Sequence, residues 1–171
     1  GMFTEGVLNL TIEENVFDHN GWSEHPRVAA TAEATIYNHA MYLAHGFRAD
    51  AVVRGNIVAN SSATGVQLRA GGLVEDNLVL RNPLGITIGH DQNLSGLLAS
   101  GAILNNVVLD ARDIDNNPRG FGIAAAGAGV TIAGNVVAHQ QRGSANIYGI
   151  TIGGGNRPSF NLYVRGNVVY D

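Results

Sequence analysis

The densest run of chemistry-bearing side chains is "YNHAMYLAHGFR" at 37–48, which holds His39, Tyr42, His45 and Arg48. An imidazole takes up and returns protons near neutral pH. A phenol can donate a proton in general acid catalysis, and a guanidinium pairs with a carboxylate through parallel N–H donors. Further along the chain, Gln67, Arg69, Thr87 and His90 follow short apolar runs, and an earlier segment, "DHNGWSEHPR", carries His19, Trp22 and His25. These groups make a site only if the fold brings them together, so the elements between them decide.

Composition narrows the classes first. The chain has 171 residues, 45% of them hydrophobic, which is enough for one domain with a sizeable core. Glycine is frequent at 23 residues, charged residues are 14%, and all ten basic residues are arginines. The absence of lysine excludes lysine-dependent chemistry. The absence of cysteine excludes disulfides, thiolate metal ligands and thiol nucleophiles. A net charge of −4 argues against nucleic acid as a partner. No apolar run approaches the length of a membrane span, and "GMFTEG" lacks the basic start and apolar stretch of a signal peptide.

The organising feature is a repeat. Six segments align on an asparagine: "LTIEENVF" (Asn15), "VVRGNIV" (Asn56), "LVEDNLV" (Asn77), "AILNNVV" (Asn106), "VTIAGNVV" (Asn135) and "LYVRGNVV" (Asn167). The residue three before Asn is always apolar, and so are the two after it. A second motif, glycine followed by an apolar, a variable and an apolar residue, appears as "GVQL", "GITI", "GIAA" and "GITI", with "AMYL" at 40–43 as a variant. Each repeat therefore encodes three very short strands. Such strands cannot bury a face alone, but stacked coils can pair each with its equivalents in parallel. Alternation and β-branching argue against helices. The asparagine is expected to sit at a corner, taking the left-handed backbone conformation it tolerates, with its amide bonded along the stack as a ladder. Gly55, Gly134 and Gly166 fit the same corner.

These motifs resemble the right-handed parallel β-helix proteins of the pectate-lyase-like superfamily, over Leu8 to Tyr170. The resemblance implies a single-stranded parallel β-helix of about six rungs with an Asn-corner ladder, and one domain over 1–171. That domain is either whole or a stretch of a longer β-helix. The glycine-led strand becomes the first sheet, whose variable outward position reads Tyr42, Gln67, Thr87, Ala124, Thr151 along the stack. In members acting on acidic polysaccharides this sheet forms the substrate groove, so an acidic polysaccharide or other glycan is the expected partner. β-Elimination or epimerisation of a uronate needs a group to neutralise the carboxylate, a base for the C5 proton and a proton donor. By position and residue type, Arg69 or Arg48 fits the first role, His39 or His45 the second, and Tyr42 the third. Trp22, Arg48, Gln67, Thr87 and His90 are candidate substrate contacts. No complete catalytic motif of a lyase or epimerase family is present. Structural roles compete with each assignment: Tyr42 as a stacking aromatic, Arg69 paired with Glu75 or Asp76, Trp22 capping apolar core, His39 as a bonded loop residue.

No metal or cofactor is assigned. The nearest approach is "DARDIDNN", with Asp110, Asp113 and Asp115 as hard oxygens for Ca2+, but Pro118 stands where a calcium loop needs its turn glycine. His139 reads as structural. The chain enters on "LNLTI" and stops at "NVVYD", inside strand motifs, so its ends are expected to be covered, by Phe3 or the Trp22 loop at the start and by another copy in a homo-oligomer stacked through ends or edges. An extracellular or periplasmic location is implied by the resemblance alone. The alternative function is a non-catalytic β-helix that binds glycan or only assembles.

Overall fold

The computed structural model describes residues 1–21, 37–44, 49–89, 98–111, 120–140, 148–153 and 158–170. Among these the chain is all-β, with eighteen short strands, β1 to β18 in chain order, in three parallel sheets of six. The first sheet stacks β1 (Met2–Glu5), β4 (Met41–Ala44), β7 (Thr64–Leu68), β10 (Leu84–Ile88), β13 (Phe121–Ala125) and β16 (Ile150–Ile152). The second stacks β2 (Thr11–Glu13), β5 (Ala51–Arg54), β8 (Gly71–Glu75), β11 (Ser100–Leu104), β14 (Val130–Ala133) and β17 (Tyr163–Arg165). The third holds β3 (Val16–Asp18), β6 (Ile57–Ala59), β9 (Leu78–Leu80), β12 (Val107–Leu109), β15 (Val136–Ala138) and β18 (Val168–Tyr170). The chain visits the three sheets in turn, once per coil, which is the strand order of a parallel β-solenoid.

Each coil sends a few apolar side chains inward, and equivalent positions stack. Met41, Val66, Ile86 and Ile123 form one buried column; Val53, Val74, Ile103 and Ile132 form a second; Val58, Val79, Val108 and Val137 form a third. β-Branched residues suit these positions because a strand of three to five residues has room for only one or two inward side chains. Full burial of a side chain of this size is worth about 1.5–3 kcal/mol.

The corner between the second and third sheets carries the asparagine ladder. From Asn15 through Asn56, Asn77, Asn106 and Asn135, each backbone N–H and side-chain Nδ2 donates to Oδ1 of the next asparagine, ending at Asn167, at 2.8–3.1 Å. The Nδ2 of Asn56, Asn77, Asn106 and Asn135 also reaches two backbone carbonyls, one in the coil before. The left-handed conformation belongs elsewhere than expected. It is taken by the residue before each asparagine: Glu14, Gly55, Asp76, Asn105, Gly134 and Gly166 all have φ between 54° and 68°. The labour is divided because the ladder needs the amide pointing into the stack, and turning the preceding residue brings it there. A second corner, after the third sheet, places His19, Asn60, Arg81, Asp110 and His139 at φ 52–56°. There Ser61 donates through N–H and Oγ to Asn82 Oδ1.

Two expectations about the ends change. The first sheet has one more strand than the glycine-led motif marks, because β1 pairs with β4 and sets Phe3 beside Tyr42. Phe3 is therefore on the outer face, 63% exposed, rather than a plug over the interior. At the other end, Val164 and Val169 occupy inward columns but are 45% and 51% exposed.

Candidate functional site

The outer face of the first sheet carries one line in continuous register: Phe3, Tyr42, Gln67, Thr87, Ala124, Thr151. Successive members stand one strand spacing apart, about 5 Å. The sequence expected the last five of these to line up, and Phe3 extends the line by one coil. Exposure along it is uneven. Phe3 is open, Tyr42 is half-buried, and Gln67 and Thr87 are only 5% and 4% exposed. Outward direction on a strand does not by itself give a solvent-facing side chain. Ala124 is buried too, so the accessible members are Thr151 in the last coil and Phe3 and Tyr42 in the first two.

Here four of the candidate residues meet. Arg69, just past β7, is fixed by its backbone N–H donating to Leu43 O at 3.0 Å. Its Nε donates to the Tyr42 hydroxyl at 3.2 Å, and its guanidinium carbon lies 5.4 Å from the Tyr42 ring centroid. Tyr42 also packs against His39, with centroids 4.9 Å apart, and against Phe3 at 5.7 Å. His39 is held from the neighbouring coil: Thr64 N–H donates to its Nδ1 at 3.3 Å, while Ala40 N–H donates to Thr64 O at 3.0 Å. The Gln67 carboxamide lies between His39 and Arg69. One of its polar ends lies 3.1 Å from His39 Nε2 and the other 3.3 Å from both Nε and Nη2 of Arg69.

The electrostatics follow. Burial and, secondarily, the Arg69 charge lower the His39 pKa to about 4. The ring is thus neutral through the physiological range, below the near-neutral titration expected from the residue type. A neutral imidazole can accept a proton at its one lone pair, but the Thr64 N–H occupies that at Nδ1, and Nε2 faces the Gln67 carboxamide.

The other assignments separate. Trp22, His45, Arg48, His90, Asp113 and Asp115, with His25, lie outside the described residues. Asp110 is an exposed corner residue, and no group of three acidic or imidazole side chains suited to a metal gathers among the described residues. His139 takes the equivalent corner one coil on and meets the edge of Tyr170 at 5.3 Å. His19 sits beside Asp18 at 3.0 Å on an exposed corner. Glu75, a competing partner for Arg69 in the sequence reading, stands 3.9 Å from Arg54, which pairs closely with Glu13 at 2.8 Å.

Sequence reasoning overlooked Phe3 as a member of this face. Its strand, "MFTE", lacks the leading glycine that marks the others, and only its apolar, variable alternation hinted at a strand. Thr64 was overlooked because its contribution is a backbone N–H. Comparison with protein-family models, curated proteins and solved structures finds no match to this chain.

Proposed function

We propose that the solenoid is a right-handed parallel β-helix of the pectate-lyase-like kind, and that it acts on an acidic polysaccharide at the outer face of its first sheet. The observation carrying this reading is the meeting of Arg69, Tyr42 and His39 in one contact beside exposed Phe3. A guanidinium held against an aromatic ring is suited to pair with a uronate carboxylate, and aromatic faces suit the apolar face of a sugar ring. The Tyr42 oxygen accepts from Arg69, which leaves its O–H directed elsewhere as the proton donor. His39 is the base in this reading, resembling polysaccharide lyases or epimerases, and takes the proton at Nδ1 as the Thr64 N–H is released; the location is extracellular or periplasmic.

A second reading, a non-catalytic glycan-binding or assembly module, draws support from the engagement of both His39 nitrogens and its low pKa. A panel of alginate, pectate and glycosaminoglycan separates the two functions. Growth of the unsaturated-uronate absorbance would mark a lyase and proton exchange at C5 an epimerase. Neither signal, with glycan binding still abolished by Arg69→Ala, would leave the binding module. Unaltered glycan binding in both His39→Ala and Arg69→Ala would sink the assignment of the site itself.

A further inference from the structure

The Gln67 carboxamide stands between the His39 ring and the Arg69 guanidinium. Its two polar ends face His39 Nε2 at 3.1 Å and Arg69 Nε and Nη2 at 3.3 Å. Thr64 N–H donates to His39 Nδ1 at 3.3 Å, and a backbone N–H cannot become an acceptor. The neutral ring therefore keeps its lone pair on Nδ1 and its proton on Nε2. Arg69 can only donate. One amide oxygen faces two donors, so in either orientation the carboxamide N–H2 is turned against a donor. At 5% exposure Gln67 has little solvent with which to relieve this. In register with it on the next strand, Thr87 Oγ1 is buried and lacks a hydrogen-bond partner among the described residues. Two polar groups on adjacent coils, the Gln67 N–H2 and Thr87 Oγ1, thus lack a matched partner among the described residues.

We propose that Gln67 gates a carboxylate subsite at Arg69: an incoming carboxylate takes over the guanidinium edge, and the amide turns its oxygen to the Nε2–H of His39. A carboxylate is the matching ligand because its two oxygens span the Nε and Nη2 edge that the amide oxygen now shares with the Tyr42 hydroxyl. The Tyr42 hydroxyl, beside Nε at 3.2 Å, has its proton available to the same ligand. The subsite rests on the acidic-glycan reading above and identifies its first contact as one uronate carboxylate. It adds a coupling: the ligand at Arg69 is sensed at His39, through a residue that positions the ring.

The test follows the His39 ring in 15N–1H spectra of the full chain, with galacturonate as probe and sodium chloride at matched ionic strength as control. Galacturonate, but not chloride, is expected to protect the Nε2-bound proton from exchange and to move the Nε2 resonance in a saturable way. Gln67→Glu supplies acceptors to both donors at once. Without probe its His39 spectrum should match that of the liganded wild type, and its affinity for galacturonate should fall about tenfold or more, as for loss of a charge-assisted hydrogen bond. Should that variant fail to fold, Gln67→Met serves: galacturonate still perturbs Arg69, but the His39 response disappears. The proposal is overturned if galacturonate leaves His39 unchanged, whether or not Arg69 responds, or if Gln67→Glu binds it like the wild type. Polyuronate binding at Arg69 with a silent His39 would remove the gate and keep the functional reading. A His39 response to galacturonate with no binding of any polyuronate would do the reverse.

Discussion

The Nε of Arg69 donates to the hydroxyl of Tyr42 at 3.2 Å while the same guanidinium leans over the Tyr42 ring, its carbon 5.4 Å from the centroid. One side chain thus orients the other through both a hydrogen bond and a cation–π contact. Tyr42→Phe keeps the ring and loses the bond, so it should fold normally and weaken polyuronate binding about fivefold, near 1 kcal/mol. Tyr42→Ala removes both contacts and the packing on His39 and Phe3, and should weaken binding further. Titration calorimetry of the two variants measures the difference; equal affinities for wild type and Tyr42→Ala would remove Tyr42 from the site.

The His39 environment gives a signed pH dependence. Its pKa is about 4 in the folded chain against 6.5 for the unfolded reference. Between those values the unfolded chain binds more protons. The His39 contribution to stability is therefore full above pH 6.5, declines as pH falls toward 4, and is gone below it. Denaturant midpoints measured across this window should fall with pH, and His39→Gln should flatten part of that slope. An NMR titration placing His39 near 6.5 would contradict the described burial.

Removing one rung of the ladder should cost far more than a surface substitution. Asn106 accepts from Asn77 N and Nδ2 and donates to Val74 O, Leu104 O and Asn135 Oδ1. Asn106→Ala leaves buried partners on both sides unsatisfied, for a loss of about 3 kcal/mol. The urea midpoint should drop at unchanged slope. A loss within about 0.5 kcal/mol, the range of ordinary surface changes, would mean the ladder does not stabilise the stack.

The position of the left-handed residue separates two glycines. A Cβ at Gly55, φ 63°, would meet nothing closer than 3.8 Å, so Gly55→Ala should cost only the conformational term, about 1–2 kcal/mol. At Gly101, φ 135°, the Cβ would fall against Gly72 O at 2.0 Å, and Gly101→Ala should be much the worse of the two. Thermal melts of both variants check the order.

The fold was legible because its causes are local and repeated. Asparagine, the apolar pair after it and the glycine-led motif recur on every coil, and their alignment gave the register that joins Tyr42 to Gln67 and Thr87. What the alignment could not give was the third dimension outside the sheet. Gln67 and Thr87 point outward yet are buried, and nothing in their own segments signals it. The partners of His39 are a backbone N–H at Thr64 and an amide at Gln67, both one coil away, and backbone donors have no sequence signature. The left-handed corner was misplaced by one residue for a similar reason. Asparagine suits both a strained backbone and a side-chain ladder, and only coordinates show that Glu14 and Asp76 carry the strain while Asn15 and Asn77 carry the ladder.

The central claim, an acidic polysaccharide seated against Arg69, is tested most directly by calorimetric titration of oligouronates of defined length into wild type and Arg69→Ala, the fold of each checked by circular dichroism. Salt-sensitive binding to the wild type that falls at least about tenfold in the variant is the expected result. Binding of equal strength by both proteins, or no binding to a folded wild type, would contradict it.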